Sequence, residues 1–126
     1  MKICVSGTYG TSSLVSRLLY DTFSILHTPT WLTTIYKEGK YTVLDIPNTP
    51  HTVPTTCDVL ILTCKSQKDV KHMVRKWFGF HKHLIIALID TQPEEPLLCP
   101  REHLIHVNNM SREGLLNLVQ LIRAYK

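Results

Sequence analysis

Residues 2–23 read KICVSGTYGTSSLVSRLLYDTF, and their pattern decides the fold. Lys2–Ser6 is a short apolar run that breaks at a glycine loop, Gly7–Gly10. Beyond it Leu14, Val15, Leu18, Leu19 and Phe23 recur at helical spacing, with Ser12 or a neighbour placed to cap the helix start. A strand, a tight glycine loop and a helix in that order form the first unit of an α/β domain. The loop amides and the helix N-terminus also give such a turn the polarity of an anion site.

Working outward, the alternation continues. His27–Thr30 leads into β-prone Trp31–Tyr36, Lys37–Lys40 reads as a turn, and Tyr41–Asp45 pairs back as a hairpin. Pro47, Pro50 and Pro54 make Pro47–Thr56 a loop. Val59–Thr63 reads as a buried strand. The spacing then predicts a helix over Gln67–Trp77, with Val70, Met73, Val74, Trp77 and Phe78 on one face and Gly79 as its stop. Leu84–Ile89 is the most apolar run and reads as a central strand; His103–Val107 reads as the last. Ser111 is expected to cap a final helix that turns Leu115, Leu118, Val119 and Ile122 inward. Apolar strands separated by helices imply a mostly parallel sheet covered on both faces.

Composition sets the outer bounds. The 126 residues suit one domain, 1–126, without internal repeat or linker. With 44% apolar and 19% charged residues, the chain is neither disordered nor low-complexity. No run approaches the roughly 18 apolar residues of a membrane span. The start MKICVSG carries no secretory pattern. Cys4, Cys57, Cys64 and Cys99 are too scattered for a disulfide scaffold and read as free thiols in a reducing, intracellular compartment, cytoplasmic or nuclear.

The net charge of +4 is concentrated rather than spread. Lys65–Lys82 holds six Lys or Arg residues against Asp69 alone. Helical spacing puts Lys68, Lys71, His72, Arg75 and Lys76 opposite the apolar face, either as a solvated face or as a docking surface for an acidic protein or a nucleic acid. Exposed aromatics interleaved as in single-strand binders are not evident. Seven histidines give only the close pairs His81/His83 and His103/His106, without cysteine or carboxylate at ligand spacing, so no metal site is expected. No G-x-S-x-G elbow marks a serine nucleophile, and no thiol is marked as activated.

Residues 2–23 resemble the first strand, phosphate loop and first helix of a Ras-like small GTPase. Gly10-Thr11-Ser12 fall on the family's Gly-Lys-Ser, and the same register brings Pro29-Thr30 onto the Pro-Thr of switch I without a gap. The hairpin Trp31–Asp45 resembles the second and third strands, and Leu44–Asn48 stands at the Asp-x-x-Gly element with Asp45 on its Asp. The resemblance implies a minimal domain of about six strands with helices on both faces. Its second helix is replaced by Pro47–Thr56, and its fourth is reduced to Thr91–Pro100. It implies vestigial nucleotide-binding positions at Gly7, Gly10, Thr11, Ser12, Thr30, Asp45 and Asp90. Among these, Ser12 and Thr30 are the magnesium-side hydroxyls and Asp45 the carboxylate behind a metal-bound water.

The departures bear on activity. The loop is two residues shorter between its glycines than G-x-x-x-x-G-K-[ST], and Thr11 stands where the lysine would reach the phosphates. A charge-assisted phosphate contact contributes roughly 1.5–3 kcal/mol, so the missing lysine alone weakens binding on the order of 10- to 100-fold. Asn48 replaces the switch II glycine, Thr49 and Pro50 stand where a water-orienting glutamine would follow, and Ala87–Asp90 keep only the Asp of the guanine-reading Asn-Lys-x-Asp. Asn108–Met110 are a poor match to Ser-Ala-Lys.

The expectation is a non-catalytic pseudo-GTPase with no catalytic residue and no cofactor, acting as a protein-interaction module. Its surfaces would be the basic helix (Lys68, Lys71, His72, Arg75, Lys76) and the hairpin edge (Trp31, Ile35, Tyr36), which suits addition of a partner strand. A divergent enzyme holding GTP or GDP with magnesium is the alternative, and a nucleic-acid-binding module using the basic helix is a second. Oligomeric state is not legible.

Overall fold

The computed structural model describes residues 1–7, 9, 14–15, 34–38, 41–47, 54–65, 70–89, 104–108, 111 and 113–125. Six strands form one sheet: β1 (Lys2–Gly7), β2 (Thr34–Glu38), β3 (Tyr41–Asp45), β4 (Cys57–Cys64), β5 (His81–Ile89) and β6 (Leu104–Val107). Among the described residues two helices are delimited, α1 (Val70–Lys76) between β4 and β5 and α2 (Leu115–Ala124) after β6. The spatial order is β2-β3-β1-β4-β5-β6. Five strands run parallel, and β2 alone is antiparallel, at the edge beside β3.

Alternation along the strands builds two cores. Ile3, Val5, Val59, Ile61, Ile85 and Ala87 face one side, where Leu14, Val15 and the α2 residues Leu118 and Ile122 cover them. Cys4, Leu60, Leu62, Ile86 and Leu88 face the other, closed by Val70, Met73 and Trp77 of the α1 segment. Both faces of the central strands are therefore buried, which is why β4 and β5 read as continuous apolar runs. The expectation of an α/β domain with a mostly parallel sheet agrees with this architecture. Leu14 and Val15 are helical and buried, as the first periodicity requires.

Local details differ from the sequence reading. The hairpin pairs Lys37 with Thr42 and Glu38 with Tyr41, so strand extends through half of the expected turn and leaves two intervening residues, 39 and 40. Two-residue connections match the twist of the flanking strands best. β4 and β5 begin earlier than their apolar runs, at Cys57 and His81, because backbone pairing tolerates the polar Asp58, His81 and His83. Phe78, expected inside, is 80% exposed. The helix ends at Lys76, and the amide of Phe78 turns to the Arg75 carbonyl (3.4 Å) before Gly79 at φ 84° redirects the chain.

Ser111 does not cap α2. The residue before the helix is Gly114, left-handed at φ 80°, with no side-chain cap. Ser111 instead sits in the preceding turn, its amide donating to Asn108 Oδ1 (2.9 Å) and its Oγ accepting from the Glu113 amide (3.3 Å). Of the four residues expected inside α2, Leu118 and Ile122 are buried, while Leu115 and Val119 are half-buried. The start of the expected Gln67–Trp77 helix and the Thr91–Pro100 connection lie outside the described residues. So does 48–53, the greater part of the Pro47–Thr56 loop.

Candidate functional site

Strand order fixes where a site belongs. From β1 the chain passes to the β2–β3 hairpin on one side and then back to β4 on the other. In open parallel sheets the crevice at such a reversal, outside the carboxyl ends of the strands, is where ligands bind. Here that edge is formed by Gly7 of β1, Asp45 of β3 and Cys64 of β4, with Ile89 and Val107 ending β5 and β6 along the same rim.

The rim is tightly built at Gly7. A Cβ there would run into the carbonyl and hydroxyl oxygens of Thr63 on β4. The Thr63 hydroxyl donates to the Ser6 carbonyl (3.4 Å), and both residues are buried. Only glycine lets β1 leave the sheet this close to β4. Asp45 pairs in register with Val5 and is 3% exposed. The Ile46 amide donates to the Val5 carbonyl (2.8 Å), so β3 stays bound to β1 to its very end. A buried carboxylate thus lies at the reversal point, beside the strand that feeds the glycine loop. Just past β4, the Lys65 ammonium lies 5.2 Å from the centre of the Tyr9 ring.

Of the positions implied by resemblance, Gly7 and Asp45 come together at this rim. Gly10, Thr11, Ser12, Thr30 and Asp90 lie outside the described residues. Sequence reasoning missed Thr63 and the Lys65–Tyr9 contact. Lys65 could have been singled out as the first charge after the β4 run, at the strand end where ligands gather.

The expected interaction residues divide likewise. On α1, Lys71, His72 and Arg75 are exposed, and Lys76 is half-buried rather than part of an open face, because its position turns back toward the sheet. On the hairpin, Ile35 is 59% exposed. Lys68 and Trp31 lie outside the described residues, as does the side chain of Tyr36.

Elsewhere the titratable groups serve the scaffold. Asp58 accepts the Lys2 amide (2.8 Å) and lies 3.5 Å from Lys82 Nζ; the amide and then the ammonium hold its carboxyl below the usual carboxylate range. Cys4 and Cys57 share a side-chain hydrogen bond. That contact, with burial, holds the Cys4 thiol far above the ordinary range, and the same contact lowers Cys57 against the opposing effect of burial. Cys4, Cys57 and Cys64 are free cysteines, and Cys99 lies outside the described residues. His83 stacks on Tyr125, ring centres 4.1 Å apart and 7° from parallel. Among the described residues, no three His, Cys, Asp or Glu side chains come together as metal ligands. Nor, among those residues, is any helix long and apolar enough to cross a membrane.

Compared with known proteins, the chain matches no family model, and no curated protein matches it significantly.

Proposed function

We propose that this chain is a degenerate Ras-like domain whose surface binds another protein and whose nucleotide chemistry is lost. One observation carries the reading. The reversal-point rim has the layout such a site needs, with Gly7 packed onto Thr63 and Asp45 buried at the end of β3, but the loop 7–13 brings no cation to it. Thr11 stands at the lysine position, and the nearby ammonium of Lys65 is engaged by the Tyr9 ring. A polyphosphate needs several charge-assisted donors converging at once, each worth roughly 1.5–3 kcal/mol. The residues present fit such a ligand poorly. What remains is a rigid sheet displaying a basic helix on one face and a hairpin at one edge.

The buried Asp45 favours a second reading, in which Ser12, Thr30 and Asp45 still serve a magnesium–nucleotide complex. Identifying what denatured, purified protein releases separates the two. Chromatography of the supernatant is expected to yield no stoichiometric guanine nucleotide. Stoichiometric GDP or GTP would overturn the proposed loss of binding and support the second reading.

A further inference from the structure

The surface outside the rim has one feature that the basic-helix reading did not include. Phe78 is 80% exposed, although every other aromatic or aliphatic anchor of the α1 segment except half-buried Val74 is buried. Its neighbour Trp77 is 1% exposed, held by its amide on the Met73 carbonyl (3.1 Å), so the helical course persists up to the residue before Phe78. At about 100° per residue the helix sets Arg75 about 40° from Lys71, and Phe78 follows just past the helix end, its amide turned to the Arg75 carbonyl (3.4 Å). Lys71 and Arg75 lie four apart on the outward helix face, and Phe78, exposed like both of them, follows at the turn that ends it. From Val70 through Ile89 the chain contains no Asp or Glu. An apolar ring therefore stands at the end of a row of cations, with no carboxylate from its own segment to neutralise them.

We infer that the Lys71–Arg75–Phe78 stripe is a docking site for an acidic protein segment that carries an apolar residue or pocket, with Phe78 as its anchor. Charge complementarity selects the acidic partner. The projecting ring adds what charge alone lacks, a position at which the partner must be apolar. Aromatic and arginine side chains are the residue types that dominate interface energetics, and here they adjoin. The cations govern encounter and salt dependence, and the ring governs dwell time.

This inference rests on the interaction-module reading and deepens it. Nucleotide content is measured separately, so failure of the docking site leaves the loss of nucleotide binding standing or falling on its own result.

The test uses the full chain and two fluorescein-labelled 15-residue peptides, one of Glu and Leu, the other of Glu and Ser, in fluorescence anisotropy at low and high salt. The Glu/Leu peptide is expected to bind saturably, at least tenfold more tightly than Glu/Ser. Phe78→Ala should erase that difference without lowering the melting temperature, since the ring contributes nothing to the core. Arg75→Glu combined with Lys71→Glu should abolish binding of both peptides. Vesicles containing phosphatidylserine and single-stranded poly(U) serve as competing probes. Absence of saturable Glu/Leu binding, or equal affinity for both peptides, overturns the proposal. So does tighter, Phe78-dependent binding to the vesicles or to poly(U), which would assign the stripe to a lipid surface or to RNA.

Discussion

Asp58 illustrates how a single side chain ties distant segments together. Its carboxylate receives the Lys2 amide at the start of β1 and lies near Lys82 on β5, so one charge bridges three adjacent strands. Because these contacts favour the ionised form, its pKa is lower folded than unfolded. The stabilisation is therefore fully present above the unfolded value, near 4, and is lost as pH falls through the lowered folded value. The side chain is 38% exposed, so solvent screening keeps the contribution to no more than about 1 kcal/mol. Asp58→Asn should lower the melting temperature slightly at pH 7, and its curve should converge on that of the wild type as the pH falls through the lowered folded value. Thermal melts of both proteins across pH 2–7 check the sign; a gap that widens in acid would contradict it.

At the scale of single elements, the entry to α2 separates two chemistries that look alike in sequence. Ser111 has the composition of a cap, yet the turn at Gly114 carries the burden. Its φ of 80° is costly for any residue with a Cβ, and a Cβ there would run into the His106 carbonyl. Gly114→Ala should therefore destabilise by about 2–3 kcal/mol, whereas Ser111→Ala should change stability by less than about 1 kcal/mol, both measured by urea unfolding.

The same contrast explains how far the sequence could be read. β1, β4 and β5 were legible because burial on both faces demands continuous apolar residues, and α1 because Val70, Met73 and Trp77 share one side. The extra turn residues before α2 were not legible, because a left-handed glycine is set by what the neighbouring strand leaves room for. Phe78 was misread for a related reason. Hydrophobicity marks a residue as core unless one knows that its helix has already ended. At the candidate site, Gly7 and Asp45 were legible as a strand end and a hairpin end. Thr63 was not, since its role comes from the proximity of two residues 57 apart in the chain, on neighbouring strands.

For the molecule as a whole, stability depends on closing both faces of one sheet. Among the described residues Trp77 is the largest fully buried side chain, and it completes the cover over Leu60, Leu62 and Ile86. Trp77→Ala should cost about 3–5 kcal/mol, a large part of the 5–15 kcal/mol by which domains of this size are stable. Denaturant midpoints should drop accordingly, while the adjacent Phe78→Ala leaves them unchanged. Two neighbouring aromatics thus divide between holding the fold together and facing outward.

The central place of β1 also has a consequence for biosynthesis. β1 emerges from the ribosome ahead of both strands that flank it, since β3 follows by about 40 residues and β4 by more than 50. Strands adjacent in sequence pair at β2–β3, β4–β5 and β5–β6, whereas β1 pairs with neither β2 nor any other strand made within about 30 residues of it. During translation, then, the apolar segment Ile3–Val5 waits without its permanent neighbours until the hairpin and β4 have been made, and this interval is when the nascent chain most needs chaperone cover.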